Sequence, residues 1–164
     1  VVQGIIGKAR HGLEARGATL TVNYNAEQLP VSLDARAFSV VLNNLLDNAV
    51  KYSPNVPKTV KVGLERQNDL IFVHVDDEGI GIPETELKKV FERFYRVGNE
   101  MTRESKGVGL GLHLVKSITE AMNGWVRVEN NPLGKGTRFT IVLPRRVALT
   151  REETTMQPIS GGSL

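Results

Sequence analysis

Residues 43–54 read NNLLDNAVKYSP, and they end an amphipathic helix expected over residues 35–52. Phe38, Val41, Leu42, Leu45, Leu46 and Ala49 recur at helical spacing and mark one apolar face. Asp34 stands where an N-cap belongs, and Pro54 and Pro57 stop the helix. Asparagine is a mediocre helix former, costing up to about 0.7 kcal/mol relative to alanine. Asn44 and Asn48, with Lys51 one turn on, therefore ask for another reason. Each residue advances a helix by about 100°, so these three fall within roughly 60° of one another, beside the apolar stripe. Side chains there edge the core and face a cleft. An amide oxygen is a hard neutral ligand suited to Mg²⁺, and a lysine is a point charge for a phosphate. Tyr52 adds an aromatic ring at the same rim. A solvated helix edge accounts for these residues equally well when the segment is read alone.

Around this helix, periodicity alternates between helix and strand. Residues 1–16 read as a helix, with Val2, Ile5, Ile6, Ala9 and Leu13 on one side and Gly17 as its stop. ATLTVNY (18–24) alternates as a strand, and PVSLD (30–34) reads as a short one. KTVKVGLERQ (58–67) and DLIFVHVDD (69–77) form a predicted hairpin turning at Asn68 and Asp69. Residues 82–106 are polar and charged, with one short helix expected near ETELKKVFERF (84–94). A second long helix is expected over 107–123, then a strand pair, GWVRVEN (124–130) and GTRFTIVLP (136–144). The order predicts an α+β domain: a two-layer sandwich of a mixed, mostly antiparallel sheet with helices on one face.

The 164 residues suit one domain with its own core. The absence of cysteine excludes a disulfide framework and a thiolate metal site. The net charge of +3 is spread among acids, so no nucleic-acid stripe is present and no nucleic-acid partner is expected. No apolar run approaches the ~20 residues that span a bilayer. The opening VVQGIIGKAR lacks a signal-peptide layout, and a cytoplasmic location is expected, with a parent protein that is free to be membrane-anchored. Val1 is not a natural start, so the chain reads as a piece of a longer protein. The expected domain runs over 1–146. Residues 147–164, including REETTMQPISGGSL, read as a flexible polar tail.

Three glycine clusters carry further chemistry. DEGIGIP (77–83) ends a strand with a carboxylate and two glycines. Asp77 can accept from an exocyclic amine such as that of adenine, and Gly79 and Gly81 let backbone approach a flat ring. A plain strand-to-helix turn is the other reading. GVGLGL (107–112) opens a helix, where free backbone N–H groups and the dipole favour phosphate. It is not a Walker A loop, because no Gly-Lys-Ser/Thr follows, and no strand leads into it as a dinucleotide fingerprint requires. GKGT (134–137) is compatible with an ordinary hairpin turn.

The series resembles the catalytic ATP-binding domain of sensor histidine kinases, with its Bergerat-type fold. NNLLDNAVKYSP matches the N box, DEGIGIP the first glycine box, FERFYR (91–96) the F box, GVGLGL the second glycine box and GKGTRF the third. The resemblance covers roughly residues 1–146 and implies ATP or ADP and Mg²⁺ as ligands. It implies Asn44 and Asn48 at the metal, Lys51 and Arg96 at the phosphates, and Tyr52 beside the adenine. Asp77 would read the adenine amine, with Gly79, Gly81 and Ile82 behind the base and Thr137 nearby. Gly107, Val108, Gly109, Leu110, Gly111 and Leu112 would line the phosphate side. Val108 departs from the family, where a threonine or serine is frequent. Residues 82–106 would be a mobile lid. Asp76, pointing the other way on its strand, is given no role.

Hydrolytic relatives of the same fold hold a glutamate base four residues before the key asparagine, and serine-kinase relatives also carry a carboxylate there. Here that position is Asn44, and an amide cannot take a proton from water at neutral pH. The resemblance thus implies transfer of the γ-phosphoryl group to a histidine, with a degenerate nucleotide-binding module or an ATPase or serine kinase as alternatives. None of His11, His74 and His113 has the acceptor context. The acceptor would sit on a separate dimerisation domain of the same parent, through which alone a homodimer would form, with a response regulator downstream.

Overall fold

The computed structural model describes residues 2–24, 33–53, 57–95 and 111–145. Asp34 accepts from the backbone N–H groups of Arg36 and Ala37, both at 3.0 Å, and caps helix α2, Ala35–Lys51. Such a cap is worth about 1 kcal/mol. Phe38, Val41, Leu42 and Leu45 are wholly buried along one face of α2. Burying each stabilises by about 1.5–3 kcal/mol, which outweighs the propensity cost of the asparagines. The predicted helix is therefore formed, with Tyr52 as its C-cap.

Helix α1, Val2–Glu14, is followed by Gly17 in the left-handed region (φ 73°) and strand β1, Ala18–Tyr24. After α2 come β2, Lys58–Gln67, and β3, Leu70–Asp77, antiparallel and joined through Asn68 at φ 54°. Helix α3, Gly111–Ala121, precedes β4, Trp125–Asn130, and β5, Thr137–Pro144. The five strands lie in the order β1-β2-β3-β5-β4. Among the described strands only β1 and β2 pair in parallel, which requires a crossover, and α2 lies in it. The mixed sheet of an α+β sandwich is thus as expected.

Alternation sorts each strand between two faces. Val60, Val62, Leu64, Val73, Val75 and Ile141 join the apolar stripe of α2 in one core. The opposite face is mixed, with Phe72 and the buried Val142 beside polar residues. There Asp76 receives both Arg138 Nε (2.6 Å) and an Arg138 terminal nitrogen (2.7 Å), and His74 Nδ1 lies 3.0 Å from Thr140 Oγ1. Burial, and next the Arg138 charge, hold the His74 imidazole below its ordinary pKa. The Asp76 side chain points away from the core, as alternation predicts. An ion pair between Arg16 and Asp47 ties the turn after α1 to α2.

Two local expectations change. Of the short strand predicted over 30–34, Leu33 and Asp34 have no strand pairing, and the remainder lies outside the described residues. The helix predicted near residues 84–94 is a single 3-10 turn, Glu84–Glu86, followed by turns. Val90 is buried and Phe91 meets Phe139 edge to face at 6.2 Å between ring centroids, so tertiary packing overrides the local helical preference. The tail over 147–164 lies outside the described residues. No helix among the described residues is long and apolar enough to cross a membrane.

Candidate functional site

Asp77 is the last residue of β3, on the core side of the sheet, and only 5% exposed. A carboxylate so buried needs partners. Its Oδ1 accepts from the backbone N–H of Gly79 (2.9 Å) and of Thr137 on β5 (3.1 Å). These bonds favour the charged form, but burial is the larger influence and raises the carboxyl above its ordinary 3.8. With Oδ1 held from both sides, Oδ2 remains for whatever enters the adjoining cleft.

Glycine is demanded at Gly136 and Gly79 by close approach. A Cβ on Gly136, at φ 93°, would stand 2.0 Å from the Asp77 carbonyl oxygen. One on Gly79 would stand 2.5 Å from the Tyr52 carbonyl oxygen, where the first glycine cluster packs on the C-terminus of α2. Asn130, at the end of β4, accepts from Ile82 N–H at 3.1 Å. The loop 77–82 is therefore gripped between α2 and the β4–β5 hairpin.

These supports bound an open cleft with a cavity volume of about 100 Å³. Asn48 and Tyr52 from α2 line it with Asp77, Gly81, Ile82, Leu112 and Thr137. Asn48, Tyr52, Asp77 and Thr137 supply its polar groups, and the lining is otherwise largely apolar. Such a cleft accepts a flat ring whose edge carries a hydrogen-bond donor.

Residues 33–147 match the family described as histidine kinase-, DNA gyrase B-, and HSP90-like ATPases. The chain belongs to that family. Among curated relatives, it is 39% identical over 123 residues to the sensor histidine kinase WalK of Bacillus subtilis, covering 74% of this chain and 20% of that protein. It is 35% identical over 140 residues to the sensor histidine kinase CpxA of Escherichia coli K12, covering 85% of this chain and 30% of that protein. The chain thus spans about a fifth to a third of the length of these relatives. The solved mycobacterial sensor histidine kinase MprB superposes with a TM-score of 0.75 at 31% identity, covering 88% of this chain and 96% of that one. Within the ATPase family the chain is therefore of the sensor histidine kinase type.

The remaining residues expected in an ATPase site of this type are placed as follows. Asn44 is not among the described residues that line this cleft; its NH₂ donates to Val40 O at 2.8 Å, and its Oδ1 lies 3.1 Å from where a Cβ on Gly111 would stand. It belongs to the seam between α2 and α3. Lys51 is half-buried, with Nζ 5.5 Å from the Tyr52 ring centroid. Gly79 packs behind two lining residues: a Cβ there would stand 2.5 Å from Tyr52 O and 2.9 Å from Asp77 Oδ1. Arg96, Gly107, Val108, Gly109 and Leu110 lie outside the described residues.

Sequence reasoning missed Ile80, Val90, Tyr95 and Phe139 as lining residues. Phe139 was reachable, since it shares strand parity with Thr137. Val90 and Tyr95 reach the cleft only through the turns that replace the expected helix. Asn130 and Gly136 carry no local signal, because their partners lie across the fold.

The donor set also bears on the metal. Among the described residues no group of three or more His, Cys, Asp or Glu could hold an ion. Asn44 and Asn48 offer neutral amide oxygens only. That fits Mg²⁺, which keeps most of its waters and is held through substrate phosphates with few protein ligands.

Proposed function

We propose that this chain binds ATP with Mg²⁺ and donates the γ-phosphoryl group to a histidine on a separate dimerisation domain of its parent, in two-component signalling. The observation that carries the reading is Asp77: a buried carboxylate with one oxygen locked by two backbone N–H groups and the other left for the cleft. That oxygen accepts from the adenine amine. Gly81 and Ile82 lie against the ring, and Tyr52 closes the rim.

Asn48, with Asn44 a turn before it, would supply amide oxygen to Mg²⁺, and Lys51 would face the phosphates. Arg96 and residues 107–112 would complete the phosphate side. Bound Mg·ATP supplies the phosphoryl group and neutralises its charge. The chain's own part is positioning and electrostatic stabilisation. Asn44 stands where a water-activating carboxylate is needed for hydrolysis, and it has no basic atom to offer. The nucleophile must come from the partner, whose imidazole attacks directly. A cytoplasmic site of action and a response regulator that takes the phosphoryl group onward complete the proposal.

Phosphate release tests the absence of a base. The chain alone, saturated with Mg·ATP, is expected to turn over far below the ~10 per second of a median enzyme. Multiple turnover at that scale would mean a water-activating group is present, and the reading would become an ATPase.

A further inference from the structure

Strand β4 ends at Asn130, within hydrogen-bond reach of the loop 77–82. Asn130 pairs directly with Thr137 across the β4–β5 ladder. From this single rung two grips reach the loop. Thr137 N–H holds Asp77 Oδ1 at 3.1 Å, and Asn130 Oδ1 holds Ile82 N–H at 3.1 Å. The second grip falls beside Gly81, whose φ of 74° is left-handed, and the same Asn130 oxygen lies 3.1 Å from where a Gly81 Cβ would stand. Both Gly81 and Ile82 line the cleft. A left-handed glycine followed by a free amide has many alternatives in solution. Here the amide has one acceptor, supplied 48 residues away in sequence.

We propose that Asn130 is a positioning residue for the nucleotide base: its side-chain oxygen sets the Gly81–Ile82 backbone against which the ring lies. This rests on the ATP reading above and adds a residue that touches no ligand. It acts at the base end, so its effect is the same for adenosine, ADP and ATP. A group acting on the phosphates would have an effect that grows along that series. Asn130 is exposed, so water competes for the bond, and its net worth is about 1 kcal/mol. That corresponds to about fivefold in affinity.

The test compares the wild-type chain with Asn130→Ala and Asn130→Asp by calorimetric titration with adenosine, ADP and Mg·ATP. Asn130→Ala is expected to weaken all three by the same factor, about fivefold. Asn130→Asp keeps an acceptor oxygen at the same reach and is expected to restore affinity. Amide exchange at Ile82, measured without nucleotide, should quicken in Asn130→Ala and recover in Asn130→Asp. Should the alanine variant fail to fold, Asn130→Thr serves, since its hydroxyl ends short of the Ile82 amide while its branch suits a strand. Unchanged affinity alongside quickened Ile82 exchange would overturn the proposal and leave the ATP reading standing. Losses confined to ATP would overturn it too. A wild-type chain that binds none of the three would overturn both.

Discussion

Asp77→Asn lowers the affinity for Mg·ATP and ADP about a hundredfold while the fold survives. The reason lies in the two backbone donors at Oδ1. Gly79 and Thr137 N–H require an oxygen there. An asparagine therefore keeps its carbonyl oxygen against them and turns its NH₂ toward the cleft. Two donors, this NH₂ and the adenine amine, then face each other. Losing a charge-assisted bond and leaving a donor unpaired costs about 3 kcal/mol, which is the hundredfold stated. Inosine triphosphate has a carbonyl where ATP has its amine, so the same variant should narrow or invert the preference for ATP over it. Calorimetry with both nucleotides checks this, and unchanged discrimination removes Asp77 from the base site.

The same carboxyl gives a pH signature. With Oδ1 held by two N–H groups a proton goes to Oδ2, so the ionised form is much the better acceptor for the amine; burial raises the pKa above 3.8. Affinity for adenine nucleotides should fall as pH drops through that raised value, beginning at higher pH than an ordinary aspartate would give. The fall attributable to this group disappears in Asp77→Asn. Stability runs the other way. A raised folded-state pKa means the folded protein binds the proton more tightly. The Asp77 contribution therefore becomes less destabilising as pH falls through the raised value toward 3.8.

Gly136→Ala unfolds or cripples the domain, whereas Gly134→Ala, two residues away, is nearly silent. At Gly136 the added Cβ would lie 2.0 Å from Asp77 O and 2.6 Å from its Oδ1, on a backbone at φ 93°. Neither neighbour can swing aside: one is backbone, and the other is held by two N–H groups. The hairpin must retreat, and Thr137 N–H retreats with it. Left-handed strain adds about 1–2 kcal/mol to the steric term, so a loss of about 3 kcal/mol or more is expected. Any folded fraction should bind nucleotide poorly, because Asp77 loses its orientation. A Cβ on Gly134 meets nothing within 4 Å, and the expected change is within about 0.5 kcal/mol. Urea denaturation of the two variants decides this, and similar midpoints would contradict it.

What could be read beforehand follows the range of each interaction. The cap at Asp34, the stripe of α2 and the β2–β3 turn are local, so residue type and spacing reveal them. The position of β5 between β3 and β4 is not local. No periodicity states which strand takes that place. The segment after Pro83 misled because ETELKKVFERF has helical spacing, whereas Val90 and Phe91 are drawn to the cleft and to Phe139. At the site, Asp77 was legible as a carboxylate beside glycines. Gly79 was legible as a needed glycine, and the structure adds a further reason: a Cβ there would meet Tyr52 O at the end of α2. Asn44 was expected to share the metal with Asn48; its NH₂ donates to Val40 O one turn back, which leaves its oxygen toward α3. Asn130 and Gly136 were silent, since each acts on a residue dozens of positions away.

The central claim is that this chain passes phosphate to a histidine it does not itself carry. The most direct test mixes it with the proposed dimerisation domain, expected as a helical hairpin bearing the acceptor histidine, and ATP labelled at the γ position. The account predicts label on the hairpin histidine, stable to alkali and lost in acid, only when both pieces are present. Label that never reaches the hairpin, with free phosphate released at the same rate whether or not the hairpin is there, would contradict it.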